Sequence, residues 1–253
     1  MAVKIAIANQ KGGVGKTTTA ICVAQELRRR EYRVLFIDSD AQCNSSAFYE
    51  AKIDDQATLI DIFCDDTPAM ECIQHTEKGD IIASDPQLKD AETIVKVDER
   101  RFTHLKRACK AIEDEYDYII IDTPPVIGVA LKNTLAYVDY VVIPVEESGW
   151  SMAGIMDFAD AIEMARDNNE KLRVAGILIV KTKQNTKKAG RMKTLADSLS
   201  EALGAKTFDT KIRESSACAE ALTEFCVPLR EYAPHATTTR DYDEFVDELL
   251  EVI

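Results

Sequence analysis

The sequence predicts an α/β fold, a mostly parallel twisted sheet with helices on both faces, in a single domain over residues 1–253. Apolar runs rich in β-branched residues alternate along the chain with segments of helical periodicity; the clearest runs are Val3 to Ala8, Arg33 to Ile37 and Tyr118 to Ile121. A glycine-rich segment joins the first run to the first helix, and no internal repeat or long polar linker follows. Because parallel strands need crossover helices, both faces of the sheet should be covered.

The composition is that of an ordinary water-soluble protein. The 253 residues are 46% hydrophobic and 30% charged, which is enough for one sizeable core. No long apolar run and no N-terminal signal pattern occurs, so we expect a cytoplasmic protein without a membrane partner. Seven scattered cysteines without a C-x-x-C pair argue against disulfides and against a zinc or iron–sulfur site. The net charge of −13 opposes general attraction to nucleic acid, although a local basic patch can still bind it.

The chemistry of the sequence is concentrated in the segment Ala-Asn-Gln-Lys-Gly-Gly-Val-Gly-Lys-Thr-Thr, residues 8–18. A glycine-rich loop between a strand and a helix, here Thr17 to Arg30, is typical of a P-loop, whose backbone N–H groups and helix N-terminus surround a phosphate. Lys16 would supply a cation to the β and γ oxygens, and the Thr17 hydroxyl would ligate Mg²⁺. The predicted nucleotide-binding residues are Lys11, Gly12, Gly13, Val14, Gly15, Lys16, Thr17 and Thr18.

The motif departs from the standard P-loop pattern at two positions. Gln10 stands where the first glycine is expected, and an additional lysine, Lys11, follows it. The string Lys-Gly-Gly-Val-Gly-Lys-Thr-Thr resembles the deviant Walker A motif of the ParA/MinD ATPases, which include Soj. The resemblance implies that Lys11 reaches across an ATP-sandwich homodimer to the phosphates of the second protomer, as an arginine finger does. Lys11 and Lys16 are therefore predicted to be catalytic.

Two acidic segments follow predicted buried strands. Asp38 and Asp40 follow the second strand, and Asp122, before Thr-Pro-Pro, ends the strand from Tyr116. Ligands of open parallel sheets bind beyond the carboxyl ends of the strands, so these aspartates should lie beside the P-loop. We expect Asp122 to serve the Mg²⁺ shell together with Thr17, and the resemblance of Asp-Ser-Asp-Ala-Gln, residues 38–42, to the second nucleotide motif of the ParA/MinD family implies the same for Asp38. The resemblance implies that Asp40 positions or activates the attacking water and that the Asp-Thr-Pro-Pro turn senses the γ-phosphate.

The remaining pattern predicts elements without assigned chemistry. A short strand is expected at Asp80 to Ser84, and the last helix has an acidic polar face that anionic lipid would repel. His75, His104 and His235 lack the spacing of metal ligands. The predicted helices after the first are Leu59 to Phe63, Met70 to His75, Glu99 to Glu113, Ser148 to Arg166, Thr186 to Leu203, Ala217 to Glu224 and Arg240 to Ile253.

A run of basic residues without an acidic one lies between Lys181 and Lys193. A solvated helix face and a contact with DNA phosphates both explain such a run. The segment from Phe208 to Ser215 resembles a C-terminal region that contributes to DNA binding in the ParA family. The candidate DNA-binding residues are Lys181, Lys183, Lys187, Lys188, Arg191, Lys193 and Arg213.

The resemblance implies a ParA-like ATPase with ATP and Mg²⁺ as cofactors. It would dimerise with ATP, bind non-specific DNA on the nucleoid and partition a plasmid or chromosome with a ParB-like partner that stimulates its weak hydrolysis. Because the first strand begins at Val3, we expect no N-terminal helix-turn-helix domain. A MinD-like surface-cycling ATPase, a metallocluster carrier and a non-catalytic nucleotide switch are the alternatives. The acidic last helix, the cysteine spacing and the presence of all four site residues, Lys11, Lys16, Asp40 and Asp122, argue against them in turn.

Overall fold

The computed structural model describes residues 1–146, 152–182, 200–201 and 203–253, with only the backbone of 152, 153, 155 and 156. The described strands form one sheet in the order β3-β4-β2-β5-β1-β6-β7-β8. Neighbouring strands are parallel except β3 and β4. The bounds are β1 Val3–Ile7, β2 Val34–Asp38, β3 Ile73–Thr76, β4 Gly79–Ile82, β5 Tyr118–Asp122, β6 Tyr140–Glu146, β7 Arg173–Thr182 and β8 Thr207–Arg213. This sheet confirms the predicted fold class.

Helices cover both faces of the sheet. A 3₁₀ turn over Pro86–Asp90 and a π-helical turn over Glu220–Glu224 accompany them. Among the described residues, no helix is both long enough and apolar enough to cross a membrane. The described α-helices are α1 Lys16–Arg29, α2 Asn44–Phe48, α3 Leu59–Asp65, α4 Ala69–Cys72, α5 Ala91–Ile94, α6 His104–Cys109, α7 Val129–Tyr137, α8 Met152–Arg166, α9 Ser216–Ala219, α10 Leu229–Tyr232 and α11 Thr237–Val252.

The core has two parts, one on each face of the sheet. In β1, Ile5 and Ile7 point to the face covered by α1 and α11, whereas Ala6 belongs to the core on the other face. Successive strand residues point to opposite faces, so a strand buried on both sides must be apolar at nearly every position. This explains why the strands read as continuous apolar runs.

The segment predicted as a helix from Met70 to His75 is helical only in α4. From Ile73 the chain forms β3, which pairs antiparallel with β4 through a tight turn. Gly79 has a φ of +122° in that turn, and Thr76 Oγ1 donates to its carbonyl at 2.9 Å. The hairpin therefore overrides the local helical pattern, because only a glycine accommodates this backbone readily.

The helix predicted from Glu99 to Glu113 is reduced to α6. Upstream of α6 the chain forms turns, which the buried guanidinium of Arg101 holds by donating to the carbonyls of Val95 at 2.5 Å and Glu92 at 2.7 Å. These bonds reach back along the chain and fix a non-helical path. The helix predicted at Thr186 to Leu203 lies outside the described residues except at its end, as does the start of the one predicted at Ser148.

The last helix, α11, is joined to the sheet through a buried carboxylate. Asp241 is only 2% exposed. Its Oδ2 accepts from the Arg213 backbone N–H at 2.9 Å, and both of its oxygens bind the Arg213 guanidinium. A bidentate pair of this kind orients both partners and is stronger than a single neutral hydrogen bond. It connects the end of β8 to the first turns of α11.

We predict that Asp241→Ala lowers the free energy of unfolding by about 1–3 kcal/mol, since it leaves a buried backbone N–H and a guanidinium without their acceptor. Urea unfolding followed by circular dichroism measures this. Asp247→Ala is the matched control, because Asp247 lies on the same helix as Asp241 and also pairs with an arginine, Arg30. The Asp247 side chain is 67% exposed, and exposed pairs contribute at most about 1 kcal/mol. An equal loss of unfolding free energy in both variants would contradict the conclusion that the bonds between Asp241 and Arg213 stabilise the fold.

Candidate functional site

The loop between β1 and α1 has an open backbone surface suited to a phosphate. Gly15, immediately before the first residue of α1, has a φ of +95°, and Gly13 has a φ of +71°. A Cβ added at Gly12 or Gly13 would have no atom within 4 Å, so the space above the loop is free. Val14 is completely buried and fixes the loop to the core. Open space above a glycine-rich loop that leads into a helix N-terminus is typical of an anion-binding nest.

A buried amide beneath the loop holds it in place. Asn9 is 1% exposed. Its Nδ2 donates to the Pro144 carbonyl of β6 at 2.5 Å, and its Oδ1 accepts from the Lys11 backbone N–H at 2.7 Å. The first bond ties the loop to a strand 135 positions away. Nothing in the local sequence distinguishes Asn9 from an ordinary loop residue, and the sequence analysis did not select it.

The two lysines of the motif occupy different places. Lys16 is 5% exposed, and its Nζ donates to the Lys11 carbonyl at 3.1 Å. Burial lowers the pKa of Lys16, and the charges of Asp122 and Asp40 oppose that shift. Lys11 instead directs its side chain to the rim of the loop, where its Nζ bonds to Glu146 Oε1. Its side chain is 30% exposed.

A third lysine reaches the same rim. Lys181, near the end of β7, donates from Nζ to the Gly13 carbonyl and lies 3.5 Å from Glu146 Oε2. Glu146 thus contacts Lys11 and Lys181 with separate oxygens. The two strands bring these groups together, because Glu146 is in register with Val180. Lys181 therefore lies at the loop between β1 and α1.

Asp38 and Asp122 are neighbours at the carboxyl ends of β2 and β5, where they are register partners. Asp38 Oδ2 accepts from the Ser46 N–H at 2.8 Å and from Ser46 Oγ at 2.7 Å. Asp122 Oδ2 accepts from Ser45 Oγ at 2.9 Å, while its buried Oδ1 has no hydrogen-bond partner. The two serines lie at the start of α2. They were not identified from the sequence, because only the fold brings their hydroxyl groups to the carboxylates at the ends of β2 and β5.

Burial of both carboxyls shifts their titration. Burial raises the pKa of Asp38 to about 6, against hydrogen bonds from Ser46 that lower it. Burial, followed by the charge of Asp38, raises the pKa of Asp122 to about 7, and hydrogen bonds from Thr17 and Ser45 oppose this rise. Two acidic groups close together in a low dielectric are costly to ionise together unless a cation joins them.

Asp40 is placed differently from these two. It is half-buried, its Oδ1 accepts from the Gln42 N–H at 3.0 Å, and its backbone N–H donates to Asp38 Oδ1. Ser84 Oγ donates to the Asp40 carbonyl at 2.7 Å and so fixes the backbone of this turn. Asp40 lines a cavity of about 290 Å³ together with Pro124 and Pro125. Asp40, predicted to position the attacking water, and the turn predicted to sense the γ-phosphate thus line one cavity.

On the other side of the loop lies a larger cleft, of about 550 Å³. It extends from Gly15 and Thr18 at the start of α1 to Tyr242 on α11, and the ends of β7 and β8 form its wall. Cavities of roughly this size hold small ligands in many proteins. The cleft borders directly on the loop between β1 and α1, at Gly15.

A cation at this site would need ligands from outside the chain. Among the residues that the structure describes, no group of three or more His, Cys, Asp or Glu side chains could hold a metal ion. Mg²⁺ is usually bound by one or two carboxylates together with waters and phosphate oxygens, so it does not require such a group. The unpartnered Asp122 Oδ1, with the Thr17 hydroxyl beside that carboxylate, fits this kind of site.

The predicted DNA-binding residues are only partly described. Lys181 contacts the P-loop, and Arg213 pairs with the buried Asp241. The other five, Lys183, Lys187, Lys188, Arg191 and Lys193, lie outside the described residues, so the DNA interface remains a prediction.

The chain matches known proteins over most of its length. A family model described as an AAA domain matches residues 2–174. The chromosome partitioning protein ParA of Myxococcus xanthus is 37% identical over 180 residues, 69% of this chain and 63% of that protein. The sporulation initiation inhibitor protein Soj of Bacillus subtilis is 37% identical over 179 residues, 69% of this chain and 71% of that protein. The chain belongs to the ParA/MinD-type P-loop family. This confirms the resemblance found in the sequence.

The fold of this family member also matches solved structures. Cobyrinic acid a,c-diamide synthase from Mycobacterium smegmatis, solved with an ATP analog and magnesium, superposes with a TM-score of 0.85 over 99% of this chain and 95% of that one. At 24% identity this likeness shows the fold alone. Because a synthase shares the architecture, the function of this family member must be argued from its site.

Proposed function

We propose that this chain is a ParA-like, Mg²⁺-dependent ATPase that forms an ATP-sandwich homodimer, binds non-specific DNA and moves a plasmid or chromosome with a ParB-like partner. The observation that carries the proposal is that the two lysines of the motif occupy different positions. Lys16 already lies buried inside its own loop, whereas Lys11 extends to the rim with a partly exposed side chain. A second lysine at the rim is suited to a phosphate bound by another protomer.

Within one protomer, the loop amides and Lys16 bind and orient the triphosphate. Thr17 and Asp122 would hold Mg²⁺, with Asp38 in the surrounding shell. When bound, Mg²⁺ would neutralise charge on the β and γ oxygens. Asp40, which lines the cavity beside Pro124 and Pro125, would hold the attacking water. The cleft between Thr18 and Tyr242 has room for the nucleoside.

The same arrangement supports a nucleotide-dependent switch. The Asp40 turn and the Pro124–Pro125 turn line one cavity, so the two segments are neighbours. In this proposal both segments contact the γ-phosphate of ATP, and its loss frees both. A ligand shifts an equilibrium only through contacts that differ between two states. We therefore propose that ATP favours the dimer and that hydrolysis, stimulated by the ParB-like partner, returns the monomer.

The contacts of the last helix, α11, favour packing against the rest of the protein over binding to a membrane. Asp243 and Asp247 of α11 pair with Arg29 and Arg30 at the end of α1, and Phe245 is completely buried. A helix whose polar face is acidic and already paired is poorly suited to anionic lipid. This observation favours the partition function over a MinD-like membrane cycle.

We predict that dimerisation and DNA binding both depend on ATP. Sedimentation velocity with ATP, with ADP and without nucleotide measures the first, and fluorescence anisotropy of a random duplex across a salt series measures the second. Binding should occur with ATP only and fall steeply as salt rises, because phosphate contacts release counterions. Lys187→Glu and Arg191→Glu should weaken it, and the exposed Lys171→Glu is the charge-matched control.

Two results would contradict this prediction in different ways. A monomer in every nucleotide state would remove the sandwich dimer and with it the partition mechanism. A dimer that hydrolyses ATP without binding DNA in any state would instead indicate an ATPase that positions a cargo on another surface.

A further inference from the structure

An acidic side chain of α5 binds the start of α7, just after the Asp-Thr-Pro-Pro turn. Glu92 Oε1 accepts from the backbone N–H of Val129, the first residue of α7, at 2.6 Å. The first N–H groups of a helix have no acceptor within the helix, and a carboxylate placed there also interacts favourably with the helix dipole. Glu92 is therefore a cap for α7, supplied by a segment that lies 37 positions earlier in the chain.

A buried guanidinium holds Glu92 in this place. Arg101 is 8% exposed, and its Nη2 donates to Glu92 Oε2 at 3.0 Å and to the Glu92 carbonyl at 2.7 Å. Asn133, one turn into α7 and completely buried, donates to the Arg101 carbonyl at 2.8 Å and to the Val129 carbonyl at 3.0 Å. The cap and the helix that it caps thus belong to one network of hydrogen bonds.

The turn before α7 is held at each of its ends. At its start, Thr123 Oγ1 donates to the Ile7 carbonyl at 2.8 Å, and at its end Glu92 accepts from the first N–H of α7. Pro124 and Pro125 lie between these two points and have no backbone N–H to donate. The position of the turn therefore depends in part on the cap at its far end.

The segment that carries the cap also lines the cavity of about 290 Å³ beside the turn. Leu88, Ala91 and Glu92 line this cavity together with Asp40 and Pro125. In the proposed function this is the cavity in which the attacking water is held. The bond from Glu92 to α7 thus joins one wall of that cavity to the end of the turn.

Gly128, the residue before α7, leaves room for the carboxylate of Glu92. A Cβ added at Gly128 would lie 2.9 Å from Glu92 Oε1, which is closer than such atoms approach in proteins. The backbone of Gly128 is extended, with a φ of −136° and a ψ of −168°, so an alanine can adopt it. Alanine at position 128 would therefore displace the carboxylate without removing it.

We propose that Glu92 is a positioning residue for the turn that senses the γ-phosphate: by capping α7, it holds that turn where it distinguishes ATP from ADP. The inference rests on the proposed function, in which the turn contacts the γ-phosphate. Glu92 acts through Val129 and not on the nucleotide. A cap that only stabilised the fold would leave the preference for ATP over ADP unchanged.

The test is a double-mutant cycle that measures nucleotide preference. Dissociation constants for fluorescent ADP and for a fluorescent, non-hydrolysable ATP analogue are measured with Mg²⁺ at low protein concentration. The variants are Glu92→Ala, Gly128→Ala and the double variant. Glu92→Gln keeps an acceptor for the N–H of α7 and is the conservative variant. Glu99→Ala, at an exposed position of the same acidic segment, is the matched control.

Glu92→Ala should lower the preference for the ATP analogue over ADP about fivefold, the change that typically accompanies loss of one helix-capping bond. Gly128→Ala should have a similar effect alone, and less than about a twofold effect in the Glu92→Ala background, where no carboxylate is left to displace. Glu92→Gln and Glu99→Ala should stay within about twofold of the wild-type preference.

Three outcomes would overturn the inference. An unchanged preference in Glu92→Ala would show that the cap only stabilises the fold. An equal loss in Glu92→Gln would show that the bond to the N–H of α7 is not the source of the effect. An effect of Gly128→Ala that persists in the Glu92→Ala background would show that the turn is positioned independently of Glu92. If the wild type itself binds ADP as tightly as the ATP analogue, the proposed nucleotide switch fails, which is a distinguishable result.

Discussion

Replacing Asp122 by asparagine is expected to abolish the Mg²⁺-dependent part of ATP binding while leaving the free protein as stable as the wild type, or more stable. Both effects come from the same property of the site. Asp122 is completely buried beside Asp38, and burial together with that neighbour raises its pKa to about 7. A second buried anion there costs stability in the free protein and becomes useful only when a cation is bound.

The two effects separate in a thermal-shift experiment. A ligand that binds only the folded state stabilises it by about 2.7 kcal/mol when present at 100 times its dissociation constant. Wild type with ATP and Mg²⁺ should therefore melt several degrees above wild type with ATP and a chelator. In Asp122→Asn this difference should disappear, because the amide cannot replace the carboxylate as an Mg²⁺-shell ligand. The midpoint without ligand should stay equal or rise.

Asp117→Asn is the matched control, since Asp117 precedes the same strand and pairs with Arg33 at the surface. That variant should keep the full Mg²⁺-dependent shift. If Asp122→Asn also kept it, Asp122 would not serve the metal. A large loss of stability in ligand-free Asp122→Asn would show instead that the carboxylate is a structural acceptor for Ser45.

The part of the site that could be predicted from the sequence is local or follows from strand direction. Gly13 and Gly15 have the positive φ values that a phosphate loop requires. Asp38 and Asp122 are register partners because both end parallel strands, and the carboxyl ends of such strands meet at one edge. Motif spacing and one rule of sheet geometry were therefore sufficient to predict the glycine loop and the proximity of the two aspartates. Their chemical roles remain predictions.

The residues that escaped prediction depend on register between distant strands. Glu146 ends β6, and Lys181 is the residue before the last of β7. They contact Lys11 and the loop across sequence separations of 135 and 168 positions. In the sequence, Glu146 is one acid in an acidic chain, and Lys181 begins a basic run that suggested DNA. Only the pairing of Glu146 with Val180 shows that both belong to the P-loop. A pattern of residue types contains no information on such register.

A different cause underlies the error in the helix predicted from Met70 to His75, which is a strand from Ile73 onward. Local periodicity favoured a helix, but β4 offered a free edge and Gly79 permitted a tight turn, so the chain gained backbone hydrogen bonds as a strand. The sequence alone does not show the outcome of this competition between helix formation and strand pairing when a short segment can do either. Tertiary pairing, and not intrinsic propensity, decided the outcome there.

The second large effect is expected from substitutions of the two motif lysines, which should impair different steps: binding of ATP and dimerisation. Lys16→Met should weaken binding of ATP by the monomer about 100-fold, a loss of about 2.7 kcal/mol, because it removes the cation inside the loop. Lys11→Ala should bind ATP within about threefold of the wild type, since its side chain extends away to Glu146, yet it should no longer dimerise. Titration of a fluorescent ATP analogue and sedimentation velocity measure the two steps independently.

The folded state should tolerate both changes, which makes the comparison interpretable. Lys16 is buried and its pKa is lowered by that burial, so methionine removes a charge that is costly to bury in the free protein. Equal melting temperatures for the two variants and the wild type would establish this. If Lys11→Ala dimerised normally with ATP, the proposed contact across the dimer would be wrong. If Lys16→Met still bound ATP tightly, the loop amides alone would be sufficient, and Lys16 would act only after binding.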